Sequence, residues 1–450
     1  MASCCRFTYR CLRFRGSSSL FKLHNQTILL GRTFSSGDDH DTSEPRIPRR
    51  FLKKLEKLNT KETKYEISFS EKRTPNSSHV IHDEKHTPER VAKLVRESVT
   101  LTSDTLPEFP SDIKGYHYKK RLQSNKAYRP ATDPSLTSIV LFQGQGSQFV
   151  GMGKDLLPYP GVKELFDKAS TILGYDLLKI CLKGPFEELR KTVYCQPAIL
   201  VTSLAALIKL RELHPEVDDK CVGTAGFSVG ELSALVFAEV LTFEDAVELV
   251  KVRAEAMQRA SEETPSGMMT VFCGHDTKLN FALHAAKEYC RVKLHMPNPV
   301  CCIANYLFPE CKVVAGNMEA LDFLEKNHRD FRIRRLKWLP VSGAFHTSLM
   351  DSAKAPFRDK LKQLELKKPC VPVYNNVNAS RYKNARNVVD LLPKQMCSPV
   401  KWEQTMHVLY SRDQGKAFPK TFEIGPGGQL GVLLNKVNHK AGLHLFRVDV

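Results

Sequence analysis

No acidic side chain occurs among the first 37 residues; Asp38 is the first. None of the thirteen cysteines forms a Cys-x-x-Cys pair, and the adjacent pairs Cys4-Cys5 and Cys301-Cys302 lack zinc-like spacing, so no structural metal is expected. Uninterrupted apolar runs stay well short of the ~18 residues that would span a bilayer, so no transmembrane helix is expected. Near the N-terminus the single apolar stretch is broken by Arg10, Arg13 and Arg15, which argues against a secretory signal. No repeat of fixed period is visible, and the glycine spacings fit neither G-x-G-x-x-G nor a phosphate-binding loop.

What is present divides the chain. Its 450 residues suffice for one large domain with an insertion, or for two or three ordinary ones. The formal charge is +18, of which +6 lies in residues 1–37, +4 in 38–135 and +8 in 136–450. A third of the excess is thus N-terminal, carried by Arg6, Arg10, Arg13, Arg15, Lys22 and Arg32 among several serines. That composition predicts a mitochondrial transit peptide over residues 1–34, cleaved after Phe34 in Arg32-Thr33-Phe34-Ser35, and a matrix location. Reduced, buried cysteines fit such a compartment. Residues 35–135 are rich in Lys, Glu, Ser, Thr and Pro and lack the apolar density that would offset ordering entropy. A mostly disordered extension is predicted there, with Lys53-Lys54 and Lys119-Lys120-Arg121 as either solvated charge runs or contacts for a partner.

The most informative stretch is Thr224-Ala225-Gly226-Phe227-Ser228-Val229-Gly230-Glu231, a G-x-S-x-G sequence. It follows the strand-like Cys221–Ala225, and Leu232, Leu235, Val236 and Val240 succeed it at helical spacing, so Ser228 would occupy a strand-to-helix turn with its hydroxyl in solvent. Three fixed positions recur by chance in roughly one chain in seven of this length, so the motif needs company. Ser138–Phe142 reads as a buried strand entering Gln143-Gly144-Gln145-Gly146-Ser147-Gln148, where glycine pairs serve either the turn or an approaching ligand. Gly343-Ala344-Phe345-His346-Thr347 places a histidine just past an apolar run.

From residue 136 strand-like and helix-like stretches alternate, which predicts a parallel α/β sheet. Pro197 would open a helix ending near Leu210, and Thr242 with Asp245 resembles a capping box for the next. On that helix Ala246, Leu249, Val250 and Met257 mark one face, and Arg253 falls on it, as a side chain that either meets a buried anion or snorkels to the rim. Between 264 and 340 the order changes to strand Met268–Cys273, helix Lys278–Cys290, strands Cys301–Tyr306 and Cys311–Gly316, helix Met318–Asn327 and strand Arg332–Leu339. That βαββαβ order is ferredoxin-like.

Gln143–Gln148, Gly226–Glu231, Gly343–Thr347 and Phe422-Glu423-Ile424-Gly425-Pro426-Gly427 together resemble, in order and spacing, the malonyl-CoA:acyl carrier protein transacylase family. The resemblance covers about residues 137–445, and Gly-Phe-Ser-Val-Gly looks like the mitochondrial branch. Bacterial members usually carry Pro in place of Gln143 and His in place of Phe227. The resemblance implies an α/β fold with a hydrolase-like, parallel-sheet large subdomain (136–263 and 341–450) and an inserted ferredoxin-like small subdomain (264–340). It implies transfer of malonyl from malonyl-CoA to the phosphopantetheine thiol of a mitochondrial acyl carrier protein, for fatty-acid synthesis and with no cofactor. Ser228 would be the nucleophile, His346 the base, and Arg253 the partner of the malonyl carboxylate. Backbone N–H groups of Gln145 and Val229 would form the oxyanion hole, and the backbone carbonyl of Gln395 would orient His346, its side chain mattering little. Phe345 and Val229 resemble malonyl-selecting rather than methylmalonyl-selecting members. Arg332, Arg334, Arg335 and Lys337 would steer an acidic carrier or form a solvated edge. A serine thioesterase or esterase on a related sheet and a basic RNA-binding matrix protein are the alternatives; a nucleic-acid partner leaves Ser228, His346 and Arg253 unexplained.

Overall fold

Three of the four motifs leave the same edge of one sheet. Strand β1 (Ser138–Phe142) is buried along its whole length, as its continuous apolar run requires of a central parallel strand. It pairs in parallel with β2 (Cys221–Gly226) and, on its other side, with β9 (Lys420–Ile424). Phe142 is level with both Gly226 and Ile424, so the segments beginning at Gln143, Phe227 and Gly425 emerge side by side at the carboxyl ends of three adjacent strands. The structure, a computed structural model, describes residues 130–413 and 415–450. The expected transit peptide and the extension up to residue 129 lie outside the described residues.

The large sheet has the order β10-β9-β1-β2-β7, all parallel, with β7 at Val373–Tyr374 and β10 at Leu445–Val448. Helices of eight residues or more are α1 (Val162–Leu173), α2 (Thr192–Leu213), α3 (Gly230–Phe237), α4 (Phe243–Glu263), α5 (Leu279–Lys293), α6 (Met318–Asn327), α7 (Asp351–Lys362), α8 (Ala385–Gln395), α9 (Trp402–Tyr410) and α10 (Gln429–Val437). The predicted start of α2 at Pro197 is corrected: the helix begins five residues earlier and Pro197 lies inside it. Proline there leaves the Val193 carbonyl without its helical donor, and the Tyr175 hydroxyl donates to that carbonyl at 3.2 Å. By length and composition α2 could cross a membrane, which a search for uninterrupted apolar runs misses; 78% of its apolar window is buried inside the fold. Helix α4 starts as expected, with Thr242 Oγ1 accepting from the Asp245 N–H at 3.1 Å.

The second sheet joins β3 (Ser266–Phe272), β4 (Cys301–Phe308), β5 (Cys311–Asn317) and β6 (Arg335–Trp338) in the order β6-β3-β5-β4. With α5 and α6 as crossovers this is the ferredoxin-like arrangement, β3 and β4 each antiparallel to β5 between them. Strand β6 is shorter than predicted. Arg332 takes a left-handed φ of 55° and pairs with Asp276 at 3.5 Å, so the extended backbone begins only at Arg335. A two-residue strand, β8 (Val400–Lys401), adds in parallel to β4, and the Lys401 N–H donates to Asn376 O at 2.9 Å. That bond stitches the second sheet to the loop after β7.

Candidate active site

The chain turns at Ser228 in a left-handed conformation, φ 53°, between β2 and α3. Close packing dictates the flanking glycines. A Cβ on Gly226 would stand 1.9 Å from the carbonyl of Gly230, and one on Gly230 would stand 2.3 Å from Gln143 O. Asn376 braces the turn: its Oδ1 accepts from the Ser228 N–H at 2.7 Å and its Nδ2 donates to Gly226 O at 2.8 Å. The expectation of a hydroxyl projecting into solvent is corrected, since Ser228 is only 8% exposed and its Oγ is held by two neighbours.

One neighbour is His346, whose Nε2 lies 2.9 Å from Ser228 Oγ. Its Nδ1 is 2.7 Å from the backbone carbonyl of Gln395. A carbonyl can only accept, so Nδ1 carries the proton and the Nε2 lone pair of the neutral ring faces the serine hydroxyl. Burial pushes His346 down to about 4, and the charge of Arg253 adds to this while the Gln395 carbonyl opposes it. The ring is neutral at physiological pH.

The other neighbour is Arg253, 1% exposed on the inner face of α4. It does not snorkel. Nη1 donates to Gln196 Oε1 at 2.6 Å; Nη2 donates to Gln395 Oε1 at 2.7 Å and to Ser228 Oγ at 3.2 Å. Burial pulls the guanidinium down to about 10, opposed by the charge of Glu231. The expectation that the Gln395 side chain matters little is also corrected. Gln395 is 1% exposed, and its Nε2 donates to Ser228 O at 2.8 Å and to Glu231 Oε2 at 2.7 Å.

Gln145 and Val229 lie on the two segments that face each other across the turn. A Cβ on Gly144 would meet Phe227 O at 2.4 Å, so the loop after β1 lies directly against the elbow. Neither the Gln145 nor the Val229 backbone N–H meets an acceptor among the described residues. Gly146 has a different reason for being glycine: its φ is 106° with nothing near the position of a Cβ, so conformation rather than bulk selects it. The fourth motif braces the floor. Glu423 Oε1 accepts from the N–H groups of Leu430 and Gly431, at 2.7 and 3.1 Å, and from Gln143 Nε2.

Glu231, Gln196, Asn376 and Tyr382 escaped the sequence reading. Glu231 alone left a signal, as a carboxylate one turn after Ser228 in an otherwise apolar helix. Among the described residues no group of three His, Cys, Asp or Glu side chains could hold a metal ion.

The family model described as "Acyl transferase domain" matches residues 139–419. The chain is 53% identical over 317 residues to the mitochondrial malonyl-CoA-acyl carrier protein transacylase of Homo sapiens, covering 70% of this chain and 81% of that one. It is 52% identical to the probable mitochondrial counterpart of Drosophila melanogaster, covering 71% and 84%. A crystal structure of an acyl carrier protein S-malonyltransferase from Vibrio cholerae superposes with a TM-score of 0.61 at 31% identity, covering 70% of this chain and 97% of that one. A malonyl-transacylase solved with a type II polyketide acyl-carrier protein superposes equally well, at 32% identity over 70% of this chain and 96% of that one. With half its aligned residues identical to the animal enzymes and Ser228 in a strand-to-helix turn at the carboxyl edge of its parallel sheet, the chain belongs to the acyltransferases, in the mitochondrial-type malonyl-CoA:acyl carrier protein transacylase family.

Proposed function

We propose that this enzyme moves malonyl from malonyl-CoA to the phosphopantetheine thiol of the mitochondrial acyl carrier protein, in the matrix, through a malonyl ester on Ser228. The observation that carries the reading is the buried Arg253 guanidinium, 3.2 Å from the serine oxygen and held by neutral carbonyls rather than a carboxylate. A malonyl group bonded to Ser228 ends in a carboxylate two carbons from the ester carbon. Arg253 lies within that short reach and can grip both oxygens.

Ser228 Oγ attacks the thioester carbonyl while its proton passes to His346 Nε2. Charge then grows on the former carbonyl oxygen, where the unengaged N–H groups of Gln145 and Val229 receive it; one such donor is worth about 3 kcal/mol. Collapse expels the coenzyme A thiol, which takes the proton back from His346. The carrier's thiol next gives its proton to His346 and attacks the ester, and Ser228 Oγ leaves with that proton. Gln395 O holds the imidazole in one tautomer throughout, and being neutral it leaves the ring less basic than a carboxylate would. Donor and product are both thioesters, so the exchange draws on no other energy source.

Arg332, Arg334, Arg335 and Lys337 are exposed beside β6, a row suited to an acidic carrier. The acid-free N-terminus and the mitochondrial names of animal relatives near 50% identity support the cellular address. The test is acyl preference: Arg253→Ala should lose most malonyl transfer and spare or raise acetyl transfer. Equal losses for both acyl groups would reduce Arg253 to a structural element.

A further inference from the structure

Glu231 takes no part in the chemistry above, yet it is wholly buried at the centre of the site. Its Oε2 accepts from Gln395 Nε2 at 2.7 Å and from the Asn376 N–H at 3.1 Å, and its Oε1 accepts from the Tyr382 hydroxyl. The second bond of Gln395 Nε2 goes to Ser228 O at 2.8 Å. The Ser228 carbonyl can only accept, whichever form Glu231 takes, so the amide has one allowed orientation. Its carbonyl oxygen is thereby turned onto Arg253 Nη2 at 2.7 Å. A flipped amide would set oxygen against the Glu231 carboxylate and an NH2 group against a guanidinium.

We infer that Glu231 is a positioning residue for acyl selection: through the Gln395 amide it holds the Arg253 guanidinium beside Ser228, where the acyl carboxylate is recognised. The inference rests on the role proposed for Arg253. It also accounts for the glutamine between the two charges. A carboxylate placed directly on Arg253 would occupy the bidentate donors that the malonyl carboxylate needs, whereas an amide carbonyl orients the guanidinium without neutralising it. Gln196 does the same from α2, its Oε1 accepting from Nη1 and its Nε2 donating to Gln145 Oε1 at 3.2 Å. Glu231 thus supplies direction at one remove and leaves the positive charge free for substrate.

The experiment measures kcat/KM for malonyl-CoA and acetyl-CoA in the full chain carrying Glu231→Leu, Gln395→Met, the two combined, Glu231→Gln, or Arg253→Ala. The malonyl-to-acetyl ratio does not depend on the fraction of enzyme that is folded. It should fall roughly tenfold, about 1.4 kcal/mol, in Glu231→Leu and in Gln395→Met. The double variant should fall no further than the worse single one, because both act through one amide. Glu231→Gln should restore the ratio, its carbonyl accepting from Gln395 and its NH2 meeting the Tyr382 oxygen. An unchanged ratio in Gln395→Met, which keeps the side-chain length, or fully additive losses in the double variant would overturn the inference; Gln395→Met decides if the leucine variant is unstable. A collapse in Arg253→Ala with no change in the Glu231 and Gln395 variants would sink this inference alone. No change in Arg253→Ala would sink the proposed role of Arg253 along with it.

Discussion

The Nη2 of Arg253 and the Oγ of Ser228 are 3.2 Å apart, beneath the surface and with no acidic side chain between them. A buried cation that close to a hydroxyl favours any negative charge that develops on its oxygen, and it repels a proton on the neighbouring imidazole. One arginine therefore bears on both Ser228 and His346.

The pH dependence should show it. His346 is pushed down to about 4 by burial, with Arg253 contributing, from an ordinary value of 6.5. A general base works when neutral, so with His346 in the role proposed for it the acid limb of kcat/KM should fall well below pH 6.5, towards about 4. In Arg253→Ala, followed with acetyl-CoA, that limb should move to higher pH. For stability the sign is the same: the unfolded histidine binds a proton first as pH falls, so stability is lost between about 6.5 and about 4.

Tyr382→Phe should cost stability in a pH-dependent way. Burial raises Glu231 to about 7, while the Tyr382 hydroxyl, the Gln395 amide and the Asn376 N–H oppose it. A raised carboxylate contributes stability below its ordinary range that is lost as pH climbs through about 7. Without the Tyr382 hydroxyl the ionised form is harder still to bury. Urea unfolding should show a deficit of about 2 kcal/mol at about pH 8.5 and a smaller one at about pH 5. Equal deficits at both would mean that the hydroxyl does not sense the charge.

Two glycines separate close packing from backbone conformation. Gly226→Ala puts a methyl 1.9 Å from the Gly230 carbonyl and should destabilise by more than about 3 kcal/mol, or prevent folding. Gly146→Ala meets nothing but must keep a φ of 106°, a strain of about 1–3 kcal/mol. Denaturant midpoints give the comparison, and a milder Gly226 variant would contradict the tight elbow.

Much of this was readable in the sequence because it is local. Ser138–Phe142, Cys221–Gly226 and Lys420–Ile424 are short apolar or β-rich runs ending in glycine turns, and that pattern fixes both the parallel sheet and the edge where Ser228 sits. His346 and Arg253 were visible as polar residues on apolar segments. Family resemblance points to Gln395 for its carbonyl, and no local pattern marks its side chain. Glu231 meets Gln395 164 positions away and Tyr382 151 away, and no local period encodes such a contact. Strand β8 is too short to have a period at all. Pro197 reads as a helix start in sequence because its remedy, the Tyr175 hydroxyl, is a tertiary contact.

The proposed reaction stands on a malonyl group carried by one serine oxygen. Incubating the purified chain with malonyl-CoA without carrier protein, quenching in acid and mapping peptides by mass spectrometry tests it directly. Malonate should be found esterified to Ser228, absent in Ser228→Ala and passed to the carrier when carrier protein is added before the quench. Malonate on another residue, or an adduct that survives Ser228→Ala, would contradict it.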